Sequence, residues 1–154
     1  MCMETLVRRL GRIFSLTKKT KDNTPSLRTV RRMDALERTL SAWLENKGWR
    51  VPVRTVGEAA GRLDTDTATL HAYFRDRVGM DFRTWRSRLR LEDAKRMLLE
   101  NPSMEAAEVG RRTGFSNRSN FARQFQAYTG RTPAQWRKKA RMSRDSRAPE
   151  NDYV

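Results

Sequence analysis

Three features of this 154-residue chain point to one fold class. No stretch of roughly 5–8 residues alternates apolar and polar side chains as a half-buried strand would. Apolar residues instead recur at i, i+3, i+4 spacing, bounded by capping residues and glycine stops. Shifted by 51 positions, the chain superposes on itself at core-type residues: Leu70 falls on Phe121, Phe74 on Phe125, Gly79 on Gly130, Phe82 on Pro133 and Trp85 on Trp136. Together these predict an all-α fold of about seven helices, forming two helix-turn-helix subdomains joined by a long linker helix.

Residues 1–32 read as a basic amphipathic arm followed by a flexible linker. Leu6, Leu10 and Ile13 or Phe14 recur at helical spacing with Arg8, Arg9 and Arg12 among them, and Lys18 to Ser26 is polar with a proline. Charge inside the apolar stretch excludes a secretory signal or a membrane span there. Order is expected to begin near Asp34, where Asp34-x-x-Glu37 has capping-box form and Met33, Leu36, Leu40, Trp43 and Leu44 recur at helical spacing, and Gly48 is read as the stop. Thr55-x-x-Glu58 opens a short helix through Ala59, Ala60 and Leu63. A turn at Leu63–Asp66 follows, with Asp66 as cap of a helix that carries Leu70 and Phe74 inward and ends at Gly79. A longer helix from about Phe82 to Glu100 offers Trp85, Leu89, Ala94, Met97 and Leu98 for burial.

Asn101-Pro102-Ser103 breaks that helix, and Ser103 or a near neighbour is expected to cap the next, through Ala106, Val109 and Gly110. The turn Thr113–Ser116 leads to a helix from about Asn117 to Thr129, with Phe121 and Phe125 inward and Gly130 as stop. Thr132-Pro133-x-Gln135 combines cap, proline and box glutamine for a last helix holding Trp136. The expected organisation is residues 33–142 as a double helix-turn-helix domain, with a first unit at 33–80, the linker helix at 81–100 and a second unit at 101–142. Residues 143–154 read as a disordered tail.

Composition narrows the function. The net charge is +15, with 33 Lys and Arg against 18 Asp and Glu. It is clustered: between Val109 and Arg144 there are ten Lys or Arg and no acidic residue. Such a field favours a polyanionic partner, nucleic acid or an anionic membrane surface. One cysteine and one histidine cannot build a zinc site, a Cys–His pair or a disulfide framework. No Gly-rich phosphate loop, GxSxG elbow or HExxH is present, so neither catalysis nor a cofactor is expected. The lack of disulfides fits a reducing cytoplasm.

From about Asp34 to Arg141 the chain resembles the DNA-binding domain of AraC/XylS-type bacterial transcription regulators. The residues that carry the resemblance are Arg88-Leu-Arg-Leu-Glu-Asp-Ala-Lys-Arg-Met-Leu-Leu and Gly114-Phe-Ser, Phe121-x-x-x-Phe125 and Gly130-x-Thr-Pro-x-x-Trp136-Arg137. The resemblance implies sequence-specific binding of double-stranded DNA. Each subdomain would send a recognition helix into one of two successive major-groove segments.

With Phe121 and Phe125 inward, Asn117, Arg118, Ser119, Ala122 and Arg123 are expected to face out, with Asn120 at the edge. Arg118 and Arg123 suit guanine O6 and N7, whereas Asn117 and Ser119 suit bases or phosphate. In similar proteins the slot of Arg123 reads bases. In the first unit Thr67, Ala68, His71, Ala72 and Arg75 are the outward positions. The alanines can touch only a thymine methyl, and His71 is a base contact by size, with a bystander role left open. Asp64 stands where similar proteins carry glycine. Arg75, Arg77, Arg83, Arg86, Arg111, Arg131, Arg137 and Lys138 form the expected phosphate-facing set.

Binding is expected as a monomer or weak dimer. RNA polymerase is left open as a further partner, as is membrane contact through residues 3–17. The 33 residues before the expected first helix are too few for an effector domain. The chain would therefore be either a small regulator controlled by abundance or the output end of a larger, membrane-linked sensor. The alternative class is a basic nucleoid or RNA-binding protein without sequence choice.

Overall fold

The computed structural model describes residues 27–145. The amphipathic arm expected at residues 3–17, and the expected tail beyond residue 145, lie outside the described residues. Among the described residues there are seven α-helices and no strand. They are α1 (Leu27–Glu45), α2 (Val56–Arg62), α3 (Thr67–Tyr73), α4 (Phe82–Glu100), α5 (Ala106–Arg112), α6 (Arg118–Thr129) and α7 (Pro133–Asp145). The chain divides into two compact units inside α4, between Leu89 and Arg90.

The first unit is built on α1. This helix starts at Leu27 rather than near Asp34, so the expected capping box lies in mid-helix. The physical reason is that Met33 is buried with Leu36 and Leu40, which carries the apolar stripe back a turn, while nothing between Leu27 and Asp34 breaks a helix. At its other end the left-handed residue is Lys47, at φ 52°, not Gly48. Gly48 serves close approach instead: a Cβ there would lie 2.3 Å from Trp43 Nε1. Trp43 in turn stacks on Trp85 at 5.8 Å, and Phe74 meets Trp85 edge-on at 5.0 Å. Around these rings Leu63, Leu70, Tyr73, Phe82 and Leu89 close the first core.

The second core gathers Leu91, Ala94, Met97 and Leu98 of α4 with Val109, Phe115, Phe121 and Phe125. Phe121 lies 5.2 Å from Phe115 and 5.5 Å from Phe125, and Trp136 closes the row 6.2 Å beyond Phe125. The tail boundary expected at residue 143 is corrected, since α7 continues to Asp145. Of the cap candidates at Ser103 or a near neighbour, the structure takes the neighbour. Glu105 holds the cap position of α5 with no side-chain bond, and Ser103 stays in the preceding turn.

The caps around both recognition helices are made as the sequence predicts. Thr55 Oγ1 accepts from Glu58 N–H at 3.1 Å, and the Glu58 carboxylate reaches back to accept from Arg54 N–H at 2.9 Å. Asp66 Oδ1 accepts from Thr69 N–H at 2.7 Å. Thr132 and Gln135 exchange both bonds of a capping box, at 3.0 and 3.3 Å.

The repeat has a finer structure than a single offset. From Val56–Arg62 to Ala106–Arg112 the shift is 50 residues, whereas from the cap Asp66 to the cap Asn117 it is 51. The second turn is therefore one residue longer. Both turns close alike, Thr65 N–H on Ala60 O at 3.0 Å and Phe115 N–H on Gly110 O at 2.9 Å. Each needs one left-handed residue. Gly114 supplies it at φ 94°, and Asp64 at φ 50°, a conformation that aspartate tolerates better than most side chains.

Volume is traded between the repeats as well. A Cβ on Gly110 would sit 2.7 Å from Phe121 Cγ. The matching positions of the first unit carry Ala60 and Leu70, a larger residue on the short helix and a smaller one on the recognition helix. Gly110→Ala is expected to destabilise the protein by about 1–3 kcal/mol through overpacking. Adding Phe121→Leu should recover part of that loss in a urea-unfolding double-mutant cycle. Equal losses in both backgrounds would contradict the trade.

Candidate nucleic-acid interface

The outward stripe of each recognition helix is set by its inward pair. In α6, Phe121 and Phe125 are at most 1% exposed, which turns Ser119 and Arg123 to the surface, while Arg118 is exposed at the first position of the helix. Asn117 is exposed, but its Oδ1 is the helix cap, accepting from Ser119 N–H at 2.8 Å and Asn120 N–H at 3.1 Å. Its amide nitrogen is the group left to face outward. Asn120 is half-buried, and its Oδ1 accepts from Arg123 Nη2 at 3.2 Å and Gln124 Nε2 at 2.9 Å. Ala122 is half-buried rather than outward. Gln126, one turn beyond Arg123 and exposed, extends the stripe. Sequence reasoning missed it, although its i+3 spacing from Arg123 was the signal.

In the first unit α3 runs straight into a π-helical turn, Phe74–Val78, that ends where Gly79 N–H meets Phe74 O at 2.8 Å. Thr67, Ala68 and His71 are exposed along one side of α3. Ala72, expected to face out, is corrected: it is half-buried against the first core. The buried Tyr73 beside it went unforeseen, and burial raises its phenol above the ordinary value.

The expected phosphate set separates into three groups. Arg83 and Lys138 are exposed, while Arg77 and Arg131 are half-buried. The backbone of Arg131 is braced by Thr129 Oγ1, which donates to Arg131 O at 2.9 Å and accepts from its N–H at 3.2 Å.

Arg75 and Arg111 are exposed but paired. Arg75 grips Asp76 with two bonds of 2.7 and 3.1 Å. Arg111 grips Glu108 with bonds of 2.8 and 2.7 Å, and Arg112 adds a third of 2.6 Å. These bonds hold the Glu108 carboxyl down to about 2.

Arg86 and Arg137 are corrections, because both bond to the protein's own backbone carbonyls, Arg86 buried and Arg137 half-buried. Arg86 is only 7% exposed and donates to the carbonyl of Val51. Burial, and then the like charge of Arg62, push its guanidinium down to about 10. Arg137 donates from Nε to Leu98 O at 3.3 Å and from Nη2 to Met104 O at 2.5 Å. It thereby satisfies a carbonyl in the last turn of α4, which has no partner inside that helix. Neither role could be read from a basic residue on a helix, since both depend on carbonyls more than 30 residues away in sequence.

A family model for the helix-turn-helix domain matches residues 59–139, more than half of the chain. The chain belongs to the AraC-type helix-turn-helix family. This is a family of DNA-binding transcription regulator domains, not an enzyme family.

Among its relatives is the arabinose operon regulatory protein of Escherichia coli, 28% identical over 119 residues, which cover 70% of this chain and 40% of that protein. Among solved structures, the C-terminal domain of the response regulator yesN from Fusobacterium nucleatum is 25% identical with a TM-score of 0.59. That match covers 68% of this chain and 98% of that one. A transcriptional regulator with an AraC-type DNA-binding domain from Chromobacterium violaceum shares the fold, with 20% identity and a TM-score of 0.57, over 69% of this chain and 91% of that one. The chain spans 29 to 40% of the length of the curated relatives it matches. No helix among the described residues is long and apolar enough to cross a membrane.

Two measurements check these assignments. Glu108 has its folded pKa depressed, so its stabilisation is present above the ordinary carboxylate value of 4.5 and fades as pH falls towards about 2. Melting temperature should drop across that window, and Glu108→Gln should remove its share of the drop. Arg137→Ala should lower stability by about 1–3 kcal/mol by leaving two partly buried carbonyls unpaired, with the salt dependence of DNA binding unchanged. A flattened salt dependence would return Arg137 to the phosphate-facing set.

Proposed function

We propose that this chain binds double-stranded DNA with sequence preference and regulates transcription through its two recognition helices. The observation that carries the reading is α6: a capped 12-residue helix without an acidic residue, whose buried phenylalanines leave Ser119, Arg123 and Gln126 on one exposed stripe, with Arg118 exposed at its tip. An arginine on such a helix suits the two acceptors of guanine in the major groove. Membership of the AraC-type family supports the same reading.

The first unit contributes Thr67, Ala68 and His71, a sparser set of base contacts. Arg77, Arg83, Arg131 and Lys138 hold the phosphates, with Arg75 and Arg111 available when they leave their carboxylate partners. Two successive major-groove segments correspond to a site of roughly 15–20 base pairs for a monomer or weak dimer. A cytoplasmic location and a contact with RNA polymerase are consistent with such a regulator.

Selection of bound fragments from random duplex DNA tests the reading, and an asymmetric motif spanning two turns is expected. Against the selected duplex, Arg123→Ala should lose about 1–3 kcal/mol and relax the preference at one base pair. Lys138→Ala should weaken all duplexes alike. If about 6–10 phosphates are engaged, raising salt from 50 to 200 mM should lower affinity by roughly 10³–10⁵. Equal affinity for selected and random duplexes would overturn sequence preference and favour a non-specific nucleic-acid binder.

A further inference from the structure

The amino-terminal half of α1 carries exposed arginines that the interface above does not use. Arg28 and Arg32 are four residues apart, and the stripe they share runs on to Thr39. Two contacts fix where that stripe lies in the first unit. Thr39 Oγ1 donates to Leu63 O at 3.0 Å, at the start of the turn between α2 and α3. Two turns earlier, Arg32 Nη1 lies 3.6 Å from the carboxylate of Asp66, the cap of recognition helix α3.

The stripe therefore leads along the turn to the tip of α3, and Arg28 falls one further turn out, about 6 Å beyond Arg32. The tip of a recognition helix is the part that enters a major groove between two phosphate walls. At this tip Asp66 places a negative charge where Asn117 leaves the second unit neutral. A carboxylate there repels phosphate, and Arg32 is the cation beside it. The Arg32–Asp66 contact is long, and each side chain is about half exposed, so a phosphate can readily replace the carboxylate.

We infer that Arg28 and Arg32 are phosphate contacts flanking the first recognition helix, Arg32 leaving Asp66 for the DNA backbone when duplex binds. The inference rests on the DNA-binding reading above. It gives α1 a part in binding besides its part in the core, and it compensates for the acidic cap of α3.

The test is the slope of log affinity against log salt for the full chain and the selected duplex. Arg28→Ala and Arg32→Ala should each lower the slope by about 0.9, the value of one phosphate contact. The affinity lost between 50 and 200 mM salt should then be about 12-fold smaller in the double variant than in the parent. Selected and random duplexes should weaken together. Arg38→Ala is the control for net charge, because Arg38 is exposed on α1 but off this stripe, and it should move the slope far less. The inference is overturned if the double variant, shown folded by its circular-dichroism melt, keeps the parent slope. It is equally overturned if Arg38→Ala changes the slope as much as Arg32→Ala. A parent chain that binds no duplex, or binds without salt dependence, would instead sink the DNA-binding reading itself.

Discussion

The seating of Phe121 against Gly110 governs what the second unit can present to a ligand. With the ring 2.7 Å from where a Cβ would stand, α5 and α6 approach as closely as the Phe121 ring permits. The rotation of α6 about its own axis is then fixed, because Phe121 and Phe125 must both enter the core while Asn117 caps the first turn. Once that rotation is set, no freedom remains over which side chains face out. Ser119, Arg123 and Gln126 share a surface because two phenylalanines share a core, and Arg118 is exposed beside them at the tip. In the first unit the same constraint is met with different volumes, Leu70 and Phe74 inward opposite a helix that carries Ala60.

The two units solve one packing problem but differ in the surfaces they present. The α6 tip has a neutral cap, and the 36-residue run from Val109 to Arg144 around it holds no acidic residue. The α3 tip has an acidic cap, and two alanines stand among its outward candidates, one of them half-buried. Arg75 is already bound to Asp76. On the proposed reading, base choice rests mainly on the second unit, while the first contributes attachment. On that reading the exposed ion pairs Arg75–Asp76 and Arg111–Glu108, screened by solvent, can exchange their carboxylate partners for phosphate.

Local signals in the sequence were legible wherever their physics is local. The caps at Thr55, Asp66 and Thr132, the stops at Gly79 and Gly130, and the buried pairs of both recognition helices depend on residues within about one turn of each other; the cap made by Asn117, read as a base contact, is a finding of the structure. The repeat was legible for the same reason, since it recurs in core positions and helix ends. What the sequence concealed were contacts between distant segments. Arg86 and Arg137 look like two more surface cations until Val51, Leu98 and Met104 turn carbonyls towards them. The early start of α1 was hidden because a capping-box pattern at Asp34 is indistinguishable from ordinary polar residues in mid-helix. Gln126 lies well past the tip of α6, where only its spacing from Arg123 marks it as part of the outward stripe.

The most direct test is an NMR titration of the isotope-labelled chain with its selected duplex, following backbone amide and arginine side-chain signals. The largest changes should fall on Arg118, Ser119, Arg123 and Gln126, with a second set on Thr67, Ala68 and His71 and little change at Arg86 or Arg137. Changes centred on α7 or on the buried rings, with the α6 stripe silent, would contradict the idea that inward packing dictates the reading surface.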